Sequence, residues 1–278
     1  MSKIAIVTDS TADLPPHLVS EHHIEVVPAI IVMDGENLID QEEISRSAFY
    51  ERMVKTKTTT TATPSLGAFQ IAYKKLFQQG IQTIVSIHIA ATLSGILDTA
   101  KSAAQAFGER ICVLDSGSLS TGLGFQVLAA AEAATKGFSP DKIIEVIEET
   151  QQRIRLTAML DTFEYIQRSG RVSWAKARIG SLLQIKPFVE VKDGEVLSQG
   201  QTRTRRKGIA RLKEMIERFG PLERLAILHS NAEADAHALL ESLDIQIDTP
   251  AVTINVTPVI GVHVGPNGLG FAAVTKAA

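Results

Sequence analysis

The sequence predicts an α/β protein built from two α/β domains, the second of them smaller. Short β-branched, nearly apolar runs alternate with amphipathic segments, which is typical of a mainly parallel sheet flanked by helices. In the second half, Asp193-Gly194 separates two segments of alternating polarity and predicts a β-hairpin. A length of 278 residues allows two domains of ordinary size. We place these domains at residues 1–153 and 154–278.

Strands and helices alternate along the first half. The strands are predicted in KIAIVTDS, IEVVPAIIV, TIVSIHI and RICVLDS. Thr63 and Pro64 predict the start of a helix that Gly80 ends. The apolar stripe of this helix is Leu66, Phe69, Tyr73 and Leu76. Further helices are predicted in LSGILDTAKSAAQAFG, LGFQVLAAAEAATKG and SPDKIIEVIEETQQRIR.

The second half is predicted to begin with a strand and two short helices, in LTAMLDTFEYIQRSGRVSWAKARIGSLLQI. The hairpin PFVEVKDGEVLSQGQTR and the basic helix RRKGIARLKEMIERFG follow. Strand RLAILHS, helix AEADAHALLESL and strand AVTINV come next. The last stretch, PVIGVHVGPNGLGFA at 258–272, predicts two buried strands joined by a glycine-rich bend, with His263 in the first strand.

Composition excludes several classes of function. The net charge is −3 and aromatic residues make up 5%, so we expect no nucleic-acid partner. The single cysteine, Cys112, cannot form an internal disulfide and favours a reducing, cytoplasmic setting. No apolar run is long enough to span a membrane. Cysteine pairs, a Gly-x-Ser-x-Gly elbow and a His-Glu-x-x-His motif do not occur, so we expect neither a metal nor a cofactor.

Small hydroxyl and carboxyl residues gather in four segments beyond the carboxyl ends of predicted strands, where open α/β sheets bind ligands. These residues are Asp9, Ser10 and Thr11; Thr58, Thr59, Thr60, Thr61, Thr63 and Ser65; Thr92 and Ser94; and Asp115, Ser116 and Ser118. Each of them is also a common helix cap. Together with free amides at helix N-termini, they predict a site for an anionic group, either carboxylate or phosphate.

His263 and two basic clusters extend this hypothesis. The glycines around His263 let the backbone bend and let another group approach closely, although a satisfied core histidine is the alternative. These glycines are Gly261, Gly265, Gly268 and Gly270. The basic clusters are Arg168 with Arg171, and Arg203, Arg205, Arg206 and Lys207. Such clusters are commonly solvated faces, but Arg171 could also bind a phosphate or carboxylate through two hydrogen bonds.

Seven motifs taken together resemble the DegV family of bacterial fatty-acid-binding proteins. The motifs are VTDSTADLP, TATPS at 61–65, LSG at 93–95, LDSGSLSTGLG, SGRV at 169–172, IKPFVEV…GEV and GVHVGPNGLG, in the order that the family shows. The resemblance covers one unit of about residues 3–277. It implies that the ligand lies between the two domains: a long-chain fatty acid such as palmitate in an internal tunnel, with its carboxylate at the domain cleft.

The resemblance also implies a role for individual residues. Thr61, Ser94 and His263 match the family positions that bind the carboxylate. Supporting positions are Thr63, Gly95, Gly265, Gly268, Asp9 and Ser10. Arg171 matches the family position associated with phosphorylation of the acyl group. Together with Arg203 and Arg205, it is expected to serve phosphoryl handover or contact with a partner. The chain departs from the family pattern at Ala62, Thr63, Ile96, Ser169 and Asn267.

The activity that the resemblance implies is carriage of a lipid without catalysis by this chain. A separate ATP-dependent fatty acid kinase subunit would convert the presented carboxylate into an acyl phosphate for phospholipid synthesis. Contact with the membrane would be transient, in the bacterial cytoplasm. No catalytic residue and no metal are expected in this chain.

Two alternatives stay open on the sequence alone. The first is a phosphotransferase or hydrolase that acts by itself on a small phosphorylated substrate with Asp9, Asp115 and His263. The second is a regulatory interaction module that uses the basic surface from Arg203 to Lys207.

Overall fold

The computed structural model of the chain describes residues 3–172, 174 and 185–277. Its helices are α1 (Pro16–Glu21), α2 (Arg46–Met53), α3 (Leu66–Gln78), α4 (Ile96–Ala104), α5 (Ser120–Thr135), α6 (Pro140–Arg153), α7 (Glu164–Ser169), α8 (Arg205–Glu217), α9 (Glu233–Ser242) and α10 (Pro258–Val264). Its strands are β1 (Ile4–Asp9), β2 (Glu25–Val27), β3 (Ile30–Met33), β4 (Glu36–Ile39), β5 (Thr59–Ala62), β6 (Thr83–His88), β7 (Ile111–Asp115), β8 (Ile154–Met159), β9 (Lys186–Lys192), β10 (Glu195–Thr202), β11 (Leu222–His229), β12 (Val252–Asn255) and β13 (Leu269–Thr275). Short 3-10 helices occur at Ser10–Ala12 and Gln105–Arg110.

The strands form three sheets, and the predicted α/β class is confirmed. The first sheet is parallel and has the order β2-β1-β6-β7. The second has the order β10-β9-β8-β13-β11-β12, in which β11 and β12 are parallel and the other neighbours are antiparallel. The predicted hairpin joins β9 to β10 at Asp193 and Gly194, whose φ angles are 51° and 78°. A third sheet, β4-β3-β5, is antiparallel and was not predicted.

Helix α5 packs between the two larger sheets. It contacts β1 and β6 of the first sheet and β8 and β13 of the second. Nearly all of its residues are buried, because a helix that is apolar on every side is stable only when surrounded by protein. A Cβ on Gly124 would lie 2.5 Å from the carbonyl oxygen of Ala12. Glycine at this position therefore allows the helix to lie directly against the segment that follows β1.

The division of the chain into domains 1–153 and 154–278 stays a prediction. The strands of the first sheet all precede residue 154, and those of the second sheet all follow residue 153. One hydrophobic cluster nevertheless contains Val7, Leu123, Leu228 and Val259. The two halves thus share a core, in which α5 contacts both larger sheets and α10 contacts β3 and β5 of the three-stranded sheet.

The run IEVVPAIIV is not the single strand that the sequence predicts. Its first part is β2 of the parallel sheet, and its second part is β3 of the three-stranded sheet. Pro28 separates them, because proline has no N–H to donate to a strand ladder. The amide of Ala29 donates to Ser10 Oγ at 3.1 Å instead.

The threonine-rich segment before α3 is also different from the prediction. Thr59–Ala62 forms β5, since β-branched residues favour the extended backbone, and Thr61 pairs with Ile31 of β3. Helix α3 begins after Thr63 and Pro64. Ser65 caps it, and its Oγ accepts a hydrogen bond from the Ala68 amide at 3.1 Å.

The structure of residues 258–272 differs most clearly from the two buried strands that the sequence predicts. Its first part is helix α10 rather than a buried strand, and its second part is β13. Thr257 and Pro258 occupy the cap and first helical position, which is the usual place of proline in a helix. His263 therefore lies in the last turn of a helix.

The structure also bears on the expectations for Cys112, for membrane-spanning segments and for the second short helix after β8. Cys112 lies half-buried on β7, and burial raises the pKa of its thiol, which makes it a poor nucleophile. Within the described ranges, no helix is long and apolar enough to cross a bilayer. The second of the two short helices predicted after β8 falls at 175–184, outside the described residues.

Asp40, the residue that follows β4, carries a buried carboxyl. It is 1% exposed, and burial raises its pKa from 3.8 to about 7, more than the nearby Ser10 hydroxyl lowers it. The folded state thus binds the Asp40 proton more tightly than the unfolded state does. The stabilising effect of that proton is fully present below about pH 4 and is lost as the pH rises through 7.

We expect Asp40→Asn to stabilise the protein at pH 8, because asparagine imitates the protonated carboxyl without its charge. A pKa difference of about three units corresponds to a gain of up to ~4 kcal/mol. Urea unfolding at pH 5, 6.5 and 8 measures this. An equal effect of the substitution at all three pH values would contradict the burial of an ionisable Asp40.

Candidate functional site

A mostly apolar cavity lies among β5, α10 and one face of the six-stranded sheet. Its apolar walls include Leu156, Ala158, Leu160, Val189, Val191, Val196, Val259 and Ile260. Its polar lining is supplied by Thr11, Thr61, Thr63, Ser94, Ser120, Ser169, Arg171, His229, Ser230 and His263. The cavity therefore offers an apolar surface together with hydroxyl, imidazole and guanidinium groups from distant parts of the chain.

Thr61 and His263 meet in this cavity. The Thr61 Oγ1 atom lies 3.2 Å from His263 Nε2, although the residues are 202 positions apart in the chain. Strand β5 presents Thr61 and the last turn of α10 presents His263. His263 Nδ1 is buried without a hydrogen-bond partner among the described residues. The pair is thus a hydroxyl and an imidazole that share one hydrogen bond at the cavity wall.

His263 is a neutral group at neutral pH. Burial lowers the pKa of its imidazole to about 4, and the positive charge of Arg171 lowers it in the same direction. A neutral imidazole binds an anion only through a donated N–H. The low pKa of the buried ring therefore favours a role for His263 as a hydrogen-bond donor rather than as a cation.

Ser94 and Gly95 lie at the start of α4, on the same cavity. Ser94 Oγ accepts a hydrogen bond from the Ile96 amide at 3.4 Å. A Cβ on Gly95 would lie 3.6 Å from Thr63 Cγ2, so the loop before α4 packs against the end of β5. The structure therefore brings Thr61, Thr63, Ser94, Gly95 and His263 to one cavity.

Two glycines after α10 fix the course of the chain. Gly265 has φ +73°, and a Cβ there would lie 2.1 Å from the ring of Tyr165. A Cβ on Gly268 would lie 2.8 Å from Ser230 Oγ, which accepts from the Gly268 amide at 2.7 Å. Between them, Asn267 adopts φ +62°, a left-handed conformation that asparagine tolerates. The departure from the family glycine is thereby accommodated.

Asp9 and Ser10 lie behind the cavity and do not line it. Asp9 accepts hydrogen bonds from the Thr11 amide and hydroxyl, from His88 Nδ1 at 2.9 Å and from the Ile89 amide at 3.3 Å. Ser10 is occupied by the Ala29 amide. Their contacts make them structural supports of the segment that follows β1.

His88 links Asp9 to Ser86, with Ser86 Oγ 2.7 Å from His88 Nε2. This order of groups matches a Ser-His-Asp triad, but all three side chains are 0% exposed and Ser86 also bonds to the Tyr73 hydroxyl. A substrate cannot reach such a serine. The network is therefore a part of the core.

The hydrolase alternative finds no geometric support. The Asp9 carboxylate is occupied by His88 and its neighbours. Asp115 accepts from the Gly117 and Ala91 amides and does not line the cavity that contains His263. Among the described residues, no cluster of three or more histidine, cysteine, aspartate or glutamate side chains could hold a metal ion.

The three arginines assigned to handover or partner contact differ in their surroundings. Arg171 is exposed, lines the cavity and donates to the Ser169 carbonyl at 2.7 Å. Arg203 is exposed. Arg205 instead binds Asp235 and donates to the Asn267 carbonyl at 2.6 Å. Its guanidinium is thus engaged within the chain, where it holds the turn after α10.

Sequence reasoning missed His229, Ser230 and Ser120 as lining residues. His229 and Ser230 stand at the carboxyl end of β11, a position that could have identified them. His229 Nδ1 accepts from the Ala232 amide at 3.2 Å, so a neutral ring carries its proton on Nε2.

The fold and the site define an α/β protein with a largely apolar cavity that carries hydroxyl and imidazole groups on its wall. The chain belongs to the DegV family, since the model described as "Uncharacterised protein, DegV family" matches residues 3–276.

Known proteins resemble the chain over nearly its whole length. A DegV domain-containing protein of Streptomyces coelicolor is 35% identical over 278 residues, covering 98% of this chain and 99% of its own. A DegV family protein from Thermus thermophilus, whose structure is described as showing fatty acid binding, has a TM-score of 0.90 and 30% identity, covering 99% of this chain and 100% of its own. DegV of Bacillus subtilis, described as a fatty acid binding protein, has a TM-score of 0.86 and 30% identity with the same coverage.

We expect Arg171→Ala to raise the pKa of His263, because the substitution removes a positive charge that opposes protonation of the ring. A pH titration of the His263 ring by NMR measures this. Arg168→Ala is the matched control: Arg168 is exposed in the same segment and is paired with Glu164 at 2.7 Å. A shift of equal size in both variants would show that Arg171 has no specific effect on His263.

Proposed function

We propose that this protein binds a long-chain fatty acid in the cavity, with the carboxylate at Thr61, Ser94 and His263 and the acyl chain along the apolar wall. The observation that carries this proposal is the meeting of Thr61 and His263 at 3.2 Å on the wall of a mostly apolar cavity. The fatty acid binding described for the relatives from T. thermophilus and B. subtilis supports the same ligand class.

The cavity can stabilise both the acyl chain and the carboxylate of a fatty acid. Each buried methylene contributes ~0.8 kcal/mol, so about ten of them contribute ~8 kcal/mol. An ionised carboxylate is costly in such surroundings unless it is hydrogen-bonded. The hydroxyls of Thr61 and Ser94 and a donated N–H of His263 offset that cost. Binding of a carboxylate raises the pKa of the imidazole from its value of about 4 in the unbound protein, so a proton on His263 strengthens binding only where the pH lies below that raised pKa.

Identification of the bound lipid tests the proposal directly. Organic extraction of the purified protein, followed by mass spectrometry, is expected to yield fatty acid in near-stoichiometric amount. Protein that yields no fatty acid and does not bind added palmitate would overturn the proposal.

We expect Thr61→Val and Ser94→Ala each to weaken palmitate binding roughly tenfold to a hundredfold, the usual effect of losing a hydrogen bond to a charged group. Titration with a fluorescent or isotope-labelled fatty acid measures the dissociation constant. Thr60→Val is the matched control, since Thr60 is the exposed neighbour on β5 and does not line the cavity. Equal affinities of the Thr60 and Thr61 variants would place the carboxylate elsewhere.

We further propose that the chain is the non-catalytic lipid carrier of a separate ATP-dependent kinase, which forms an acyl phosphate on the presented carboxylate. The exposed position of Arg171 beside the cavity supports a role in handover. An exposed guanidinium contributes ~1 kcal/mol or less to a bound charge.

We therefore expect Arg171→Ala to change palmitate affinity less than fivefold, while the rate of acyl phosphate formation with the kinase falls at least tenfold. Coupled assays of ADP release, with palmitate affinity measured on the same samples, separate the two effects. Arg168→Ala again serves as the control. A variant that loses the lipid in proportion to its loss of phosphorylation would assign Arg171 to binding.

A further inference from the structure

The carboxylate of Asp13 joins two segments that are far apart in the chain. Asp13 is 0% exposed and lies in the motif VTDSTADLP, which the proposed lipid contacts do not use. Its Oδ1 atom accepts a hydrogen bond from the Thr257 amide at 2.5 Å, across 244 positions of sequence. Its Oδ2 atom accepts from the hydroxyl of Ser120, the first residue of α5. Both carboxylate oxygens are thus occupied.

Thr257 is the residue that begins helix α10. The helix has seven residues, too few to be stable on its own. His263 lies six residues after Thr257, about 9 Å further along the helix axis at 1.5 Å per residue. The place of the His263 ring therefore depends on where the first turn of α10 is held.

Other contacts hold the residues just before α10 and the helix itself. Arg46 donates to the Asn255 carbonyl, and the Tyr50 hydroxyl donates to the Val256 carbonyl at 3.4 Å. A Cβ on Gly261 would lie 2.7 Å from Phe49 Cε1 and 2.7 Å from the Tyr50 hydroxyl oxygen. Helix α10 thus packs directly on α2, and Asp13 completes the anchor on the side of α5.

The positive charge of Arg46 lies close enough to Asp13 to act on its carboxylate. Burial raises the pKa of Asp13, and the nearby charge of Arg46 opposes that rise, followed by the hydrogen bonds from Ser120 and Thr257. Loss of the carboxylate leaves the buried Thr257 amide without its acceptor. The first turn of α10 would then move to find another partner, since a buried unpaired amide is costly.

We infer that Asp13 is a positioning residue for His263: its carboxylate anchors the start of α10 and thereby holds the imidazole at Thr61 in the cavity. The inference rests on the proposed function only for its ligand readout, because the position of the His263 ring is measurable without any lipid.

The first test is a double-mutant cycle on palmitate affinity with Asp13→Ala and His263→Ala. Asp13→Ala is expected to weaken binding roughly tenfold when His263 is present and less than twofold when His263 is already alanine, because contacting groups in one network are not additive. Asp9→Ala is the matched control: Asp9 is equally buried in the same segment but binds Thr11, His88 and Ile89. Its effect is expected to be the same in both backgrounds. Equal effects of Asp13→Ala in the two backgrounds would overturn the inference.

The second test needs no lipid and keeps the inference separate from the proposed function. The His263 ring is titrated by NMR in lipid-free protein. Asp13→Ala is expected to raise its pKa, since a displaced ring gains solvent, and Asp13→Asn to raise it less, since an amide oxygen still accepts from Thr257. An unchanged titration in Asp13→Ala would overturn the inference, whereas wild-type protein that binds no palmitate would overturn only the proposed function.

If Asp13→Ala does not fold, Thr257→Pro removes the other partner of the same hydrogen bond. Thr257 has φ −62°, which is close to the φ angle that the proline ring imposes. The substitution therefore removes the backbone N–H without forcing a change in φ at this residue. The same rise in the pKa of His263 is expected. A folded Thr257→Pro protein with an unchanged His263 titration would overturn the inference.

Discussion

An ionised carboxylate that enters an apolar cavity must find hydrogen-bond donors there, because water no longer solvates it. In this protein, the donors proposed for that purpose come from segments that are remote in sequence. Thr61 and His263 are 202 positions apart and meet at 3.2 Å, and Ser94 comes from a third segment. The packing of β5, the loop before α4, and α10 around one space is therefore the constraint on which the site depends.

Several contacts of the surrounding fold hold helix α10 in place. Gly261 lets α10 lie against Phe49 and Tyr50, and Gly265 lets the chain turn beside Tyr165. Asp13 and Arg46 bind the backbone just before the helix. The same dense packing removes water from His263, so that its imidazole is neutral and acts as a hydrogen-bonding group rather than as a permanent charge.

The features that the sequence predicts correctly depend on interactions between neighbouring residues, whereas the features that it does not predict depend on contacts between remote segments. Alternation of β-branched and amphipathic runs predicted the parallel sheet, and Asp193-Gly194 predicted the hairpin, because both signals are local. The strand at Thr59–Ala62 was missed, since it forms only in pairing with β3. The pattern of the run 258–264 wrongly predicts a strand, because a short apolar segment does not by itself distinguish a buried strand from a buried helix. The hydroxyl of Ser10, predicted near the ligand, is instead occupied by the Ala29 amide.

The sequence by itself determined the α/β class, the hairpin and the residue types able to bind an anion, since these follow from periodicity, turn chemistry and side-chain chemistry. Only the tertiary structure decided which of those residues share a cavity. Thr61 and His263 lie together on the cavity wall. Asp9 instead accepts a hydrogen bond from His88, and Arg205 donates one to Asp235. The physical reason is that each buried polar group binds the partner that packing places beside it, and that partner is usually far away in the chain.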